Sequence, residues 1–119
     1  MSTFIVPATL LHPDHRDRSV EAELLVDPGA TYILLPPDLV ARLELSTPYE
    51  ELAMLARDEP VTYPLGEVRV RLGGRELTTV FWAGPPGCGA ILGAVALEQF
   101  ALAVDPRHQR LIPGPPALL

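Results

Sequence analysis

The sequence contains no lysine, a single cysteine and a single tryptophan. With Cys88 as its only thiol it forms no internal disulfide, so packing alone must hold the fold. That fits a reducing compartment. Its nine basic residues are all arginine, lie scattered, and are outnumbered by fifteen acids, for a net charge of −6. Nucleic-acid binding rests on clustered positive charge, so that class of partner is excluded. No basic amphipathic segment addresses a membrane surface. No apolar run approaches the roughly 20 residues that a bilayer crossing requires. Residues 1–11 lack a positive start and are interrupted by Pro7, which argues against a signal peptide. A cytoplasmic protein is expected. His12 and His15 share one turn without a third ligand and are expected to be solvated turn residues, so no metal site is expected.

Apolar residues and proline are plentiful. With 48% of 119 residues apolar, one domain spanning residues 1–119 can bury a real core. A chain this short buries a smaller fraction of its surface than a larger one, so association would help it. Fourteen prolines and nine glycines cut the sequence into short segments. That pattern predicts an all-β fold with one or two short helices.

Strands are expected at residues 3–11 and 19–26, joined by the polar turn 12–18 into a hairpin. Residues 32–35 form another short strand. Residues 36–43 form a helix with proline in its first turn and Leu39, Val40 and Leu43 on one face. Residues 49–56 are open between strand and helix, since Glu, Leu, Ala and Met favour helix. Residues 66–72 alternate cleanly, with Val68, Val70 and Leu72 inward and Arg69 and Arg71 on a solvated face. Gly73-Gly74 signals a hairpin into a return strand at 75–82. A loop at 84–89, a helix at 94–100, two short strands at 102–104 and 110–112 and an irregular tail complete the chain.

Asp27 stands out physically. It follows Leu24-Leu25-Val26 and precedes Pro28-Gly29. An acid at the end of a buried strand is costly unless it is hydrogen-bonded or shares a proton. Gly29 offers a backbone N–H without a Cβ in the way. An Asp opening a β-turn gives the same local pattern.

The wider pattern is more specific. Val26-Asp27-Pro28-Gly29-Ala30-Thr31, followed by Ile33-Leu34-Leu35, resembles the active-site segment of the retropepsin-like aspartic peptidases, Asp-Thr/Ser-Gly-Ala. Ile91-Leu92-Gly93, leading into the helix through Phe100, resembles the second hallmark of that family. Tyr63 to Val70 and Ala103-Val104-Asp105-Pro106 are similar to its soluble bacterial branch. The resemblance spans residues 4–112. It implies a closed β-barrel, one half of an acid protease, completed by homodimerisation. It also implies an endopeptidase in which Asp27 of each subunit shares a proton across the axis, one acting as base towards water and the other as acid towards the scissile carbonyl. Peptides or proteins are then the substrate, and no metal or organic cofactor is needed. A mobile hairpin, the flap, is implied within residues 51–64, its tip carrying Arg57, Asp58 and Glu59.

Two residues depart from the pattern. Pro28 stands where the family has Thr or Ser, whose hydroxyl braces the two active-site loops across the dimer. Proline lacks both hydroxyl and N–H, although it favours extended geometry at Asp27. The flap tip lacks the usual glycine. These departures motivate the alternative of a non-catalytic dimerisation or peptide-binding module. Other signals point nowhere specific. Gly84 to Gly89 lacks the spacing of a nucleotide loop and has prolines where N–H donors are needed. Cys88 and His108 have no sequence feature that brings them together. Phe81 and Trp82 alternate on one strand, so one belongs to the core and the other lines a cleft or an interface.

Overall fold

A computed structural model describes residues 3–54, 58–116 and 118. Among the described residues nine strands and two short helices follow one another: β1 (Ile5–Leu11), β2 (Ser19–Val26), β3 (Ile33–Leu35), α1 (Pro37–Leu43), β4 (Tyr49–Met54), β5 (Pro60–Leu72), β6 (Arg75–Ala83), β7 (Ile91–Leu92), α2 (Ala94–Gln99), β8 (Leu102–Asp105) and β9 (Arg110–Pro113). The all-β reading holds. No described helix is long and apolar enough to cross a membrane.

The main sheet runs β1-β2-β7-β3-β6-β5-β4, and β1 also pairs with β5 through Leu10 opposite Val70. The pairings thus return to their start, with β4 as an appendage on the outer side of β5. Alternation decides what faces inward. Leu10, Leu24, Val26, Ile33, Leu35, Val68, Val70, Phe81 and Leu92 are all buried and form one contiguous core. Each fully buried aliphatic side chain of this kind contributes about 1.5–3 kcal/mol by leaving water. The hairpin between β5 and β6 turns at Gly73 and Gly74, whose φ values of 58° and 82° are the left-handed pair that a tight two-residue turn demands. Helix α1 starts on proline and ends on Glu44 at φ 53°, with Leu43 buried beneath it.

The segment left open between strand and helix is a strand. Residues Tyr49 to Met54 pair in register with Leu65 to Pro60, so ladder formation outweighs their intrinsic helix preference. Only Ala53 of β4 is buried, while Tyr49, Leu52 and Met54 are exposed. β4 is therefore held chiefly by its ladder to β5 rather than by burial of its side chains.

One expectation is corrected. His12 is not a solvated turn residue: it is buried, and its Nδ1 accepts the Asp14 N–H at 3.0 Å. Arg69 and Arg71 lie on the outer face expected of them, but there they are paired. Together with Arg16 from the β1–β2 turn they converge on Glu76 of β6, Arg69 Nε at 2.5 Å and Arg71 Nη2 at 3.0 Å. The β5–β6 register places Arg71 directly opposite Glu76, a cross-strand neighbourhood invisible to a one-strand reading. The Arg16 hydrogen bond first, then Arg69 and Arg71, hold the Glu76 carboxyl at about 2, well below its ordinary 4.5. A carboxyl whose pKa is lower in the folded state contributes stability above its unfolded value and loses it as pH falls. Glu76→Gln is accordingly expected to flatten the decline of Tm between about pH 4.5 and 2. An unchanged slope in thermal melts across that window would remove Glu76 from the acid response.

Candidate active site

Asp27 sits at the point where β2 leaves the sheet. Its backbone N–H donates to the Leu92 carbonyl at 3.0 Å, continuing the parallel pairing of Leu25 with Ile91 and Val26 with Leu92. Its carbonyl accepts the Ala30 N–H at 3.0 Å, which closes the turn. Its Oδ1 accepts the Gly29 N–H at 2.9 Å. The side chain is half-buried, whereas Pro28, Gly29 and Thr31 are exposed. The carboxylate is thus positioned by the backbone while one face stays open to solvent.

The second motif supports the first from beneath. Strand β7 lies between β2 and β3, parallel to the former and paired antiparallel with the latter through Leu34 and Ile91. Gly93 then packs on the loop so tightly that a Cβ there would lie 2.4 Å from the Tyr32 carbonyl oxygen and 2.8 Å from that of Ala30. The start of α2 binds the same loop: Ala94 N–H donates to the Ala30 carbonyl at 2.7 Å, and Val95 N–H to that of Thr31 at 2.9 Å. Helix α2 is tied to the sheet in turn by Thr79 Oγ1 donating to Gln99 Oε1 at 2.5 Å, with Thr79 buried. Asp27, Gly29, Ala30, Thr31, Ile91, Leu92 and Gly93 therefore form one cluster.

Pro28 stands apart from those bonds. Its ring lines an apolar groove of about 760 Å³, shared with Ala94, Leu97, Leu102, Val104 and Pro115. At this position the chain presents a hydrophobic ring to that groove.

Strands β4 and β5 pair antiparallel as a hairpin whose last described pair is Met54 opposite Pro60. Arg57 lies outside the described residues. Asp58 and Glu59 are exposed, and Asp58 takes φ 58°, a left-handed conformation that Asp tolerates better than most side chains. The hairpin arm meets the Asp27 loop through aromatic rings. Tyr32, one residue past Thr31, contacts Trp82 edge-on with centroids 5.0 Å apart, and the ring of Tyr63 of β5 lies 6.3 Å from that of Trp82. Tyr32 and Tyr63 escaped the sequence reading. The alternation of β6 placed Trp82 opposite the buried Phe81, but which rings it meets depends on the β3–β6 pairing of Leu34 with Trp82.

The remaining candidates separate. The Cys88 thiol is pushed up by burial and then by Asp38, so it stays protonated near neutrality. His108 Nδ1 bonds Asp105 at 2.8 Å. Among the described residues, no group of three or more His, Cys, Asp or Glu is arranged to hold a metal.

Comparison with solved structures gives this arrangement a class. EIAV protease complexed with the inhibitor HBY-793 superposes with a TM-score of 0.62, covering 83% of this chain and 88% of that one at 18% identity. The retroviral protease-like domain of Ddi1 from Leishmania major does so with a TM-score of 0.63, covering 94% and 88% at 16% identity. No family model and no curated protein matches by sequence. At these identities the likeness is one of fold: the chain has the retropepsin-like aspartic protease fold. Within that fold the Asp27 turn is backed by β7 and Gly93.

Proposed function

We propose that this protein is an aspartic endopeptidase whose site is assembled from two copies of the chain. The observation that carries the proposal is Asp27 itself, an acid at the end of a buried strand, held by the Gly29 N–H and left half-exposed. One chain supplies one such carboxylate, and general acid–base hydrolysis of an amide requires two groups in opposite protonation states. A second copy related by a two-fold axis through the Asp27 loops would supply the other. The two carboxyls would share a proton and titrate as a pair. Water held between them would be deprotonated by one carboxylate and attack the scissile carbonyl carbon as the other carboxyl protonates the carbonyl oxygen. The C–N bond would then break, with the leaving nitrogen taking the proton back from the carboxyl that had accepted it from water. The groove beside Pro28 supports such a partner, since its apolar lining continues from the Asp27 loop to α2 and β8.

Pro28 also supports a second reading, a dimerisation or peptide-binding module without turnover, because it removes the hydroxyl brace. The loss of two neutral hydrogen bonds per dimer would cost about 1–3 kcal/mol. Digestion of a diverse peptide library across about pH 3 to 8, read by mass spectrometry alongside sedimentation of the protein, separates the two. Cleavage blocked by a pepstatin-type mimic is the expected outcome, and Pro28→Thr should raise the rate by about tenfold by tightening the pair. A folded dimer that cleaves nothing at any pH, before or after that substitution, would leave only the binding module.

A further inference from the structure

Another concavity shares no lining residue with the Asp27 cluster. It measures about 420 Å³ and lies where the β1–β2 turn, the segment after α1 and the middle of β5 meet. That volume falls within the roughly 300–1,000 Å³ of small-ligand sites. Pro48, Leu65 and Val80 give it an apolar wall. Backbone packing sets its shape: a Cβ on Gly66 would lie 2.1 Å from the Ser46 carbonyl oxygen.

Two independent features of the lining point to a ligand. The first is His12, which lines the pocket and is only 9% exposed. Its Nδ1 accepts the Asp14 N–H at 3.0 Å, so the neutral ring carries its proton on Nε2. That N–H has no partner among the described residues. It is nevertheless not closed off from water, and the opening it meets is the pocket. The second feature is charge. Asp14 and Glu67 also line the pocket, both exposed, and no arginine does. The lining thus offers one buried donor and two acids. A bare metal ion does not suit it, since Nδ1 is engaged and Nε2 presents a proton. An anion does not suit it either, because the two carboxylates repel it. What suits it is a cation that carries a neutral acceptor a few bonds away.

We infer that this pocket binds a peptide segment bearing arginine or lysine. The cationic head lies between the Asp14 and Glu67 carboxylates, its aliphatic stem rests on the apolar wall, and the main-chain carbonyl accepts the His12 Nε2–H. The site stands under either reading of Asp27. In a peptidase it serves as an exosite that holds a basic stretch of the substrate apart from the Asp27 loop.

The test is a titration of the ¹⁵N-labelled chain with Nα-acetyl-arginine methylamide, followed by amide and imidazole resonances. The amides of His12, Asp14, Ser46, Leu65, Gly66 and Glu67 should shift saturably with a Kd of about 1 mM, weakening as salt is raised. The His12 Nε2 proton should move downfield on binding. Glu67→Gln, at an exposed position, should raise Kd about threefold. Butylguanidine keeps the cation and stem but lacks the carbonyl, and should bind about fivefold more weakly. That difference should vanish in His12→Asn, whose shorter side chain can still accept the Asp14 N–H. Asp27→Asn should bind as wild type, so failure of the peptidase reading leaves this site standing. No saturable shift of these amides up to about 50 mM probe would overturn the inference. Equal binding of Nα-acetyl-norleucine methylamide would do the same, because charge would then play no part. An unmoved His12 Nε2 proton in the saturated wild type would remove the carbonyl contact even if His12→Asn fails to fold. Resonances that shift with protein concentration instead would mean that an arginine of a second copy fills the pocket, and would overturn its assignment to a peptide.

Discussion

Asp27→Asn is expected to reduce peptide cleavage at least about a thousandfold while leaving the melting temperature nearly unchanged. The carboxamide matches the carboxylate in shape, and its oxygen can still accept the Gly29 N–H that Asp27 Oδ1 accepts at 2.9 Å. The backbone bonds at this position, Asp27 N–H to Leu92 and Ala30 N–H to the Asp27 carbonyl, do not involve the side chain at all. What disappears is the ability to take and return a proton. The same substitution tests the two-fold assembly. If each site needs one carboxyl from each subunit, a mixed dimer with a single Asp27 is inactive. Equal mixing of wild-type and substituted chains should then leave roughly a quarter of the activity, because random pairing gives that share of intact dimers. Half the activity would mean that each chain works alone. Full activity in the pure Asp27→Asn protein would remove this residue from the chemistry.

Much of this geometry was legible before any coordinates. Strand β2 ends at the residue where apolar run gives way to Asp27-Pro28-Gly29, and β6 begins straight after Gly73-Gly74, because both boundaries are set by local chemistry. The Asp27 and Ile91-Leu92-Gly93 segments were legible as a pair only through resemblance, since nothing in either one states that the other lies against it. The sequence was silent wherever a second strand decides the outcome. The β4 segment has a helical composition and becomes a strand through β5. Arg69 and Arg71 sit on an outer face as expected, yet their partner Glu76 is fixed by register across a hairpin. His12 looked solvated because its turn is polar, and is buried because the turn folds back on itself through His12 N–H to the Arg18 carbonyl. Tyr32, Tyr63 and Trp82 come from three elements, and no spacing along one chain announces three rings that meet in space.

The largest structural effect is expected at Gly93. Its φ of −96° and ψ of −177° are open to any residue, so a substitution there is not resisted by backbone preference. It is resisted by space. A methyl group would meet the Tyr32 oxygen at 2.4 Å, the Ala30 oxygen at 2.8 Å and the Tyr32 carbonyl carbon at 2.9 Å, all backbone atoms of the Asp27 loop. The loop can yield only by giving up the bonds from Ala94 and Val95 that hold Ala30 and Thr31. Overpacking of this kind costs about 1–3 kcal/mol, and loss of a buried backbone bond adds to it. Gly93→Ala is therefore expected to lower Tm by more than about 8 °C and to lower cleavage further than the loss of folded protein explains. Gly89→Ala is the matched control, because a Cβ there meets nothing within 4 Å; it should melt as wild type or slightly above. If Gly93→Ala also melts as wild type, the Asp27 loop does not rest on β7 and α2, and the backbone cradle argued for the carboxylate is lost with it. If it melts early but cleaves at the wild-type rate per folded molecule, Gly93 serves the fold and leaves the placement of Asp27 to β2 and the Gly29 N–H.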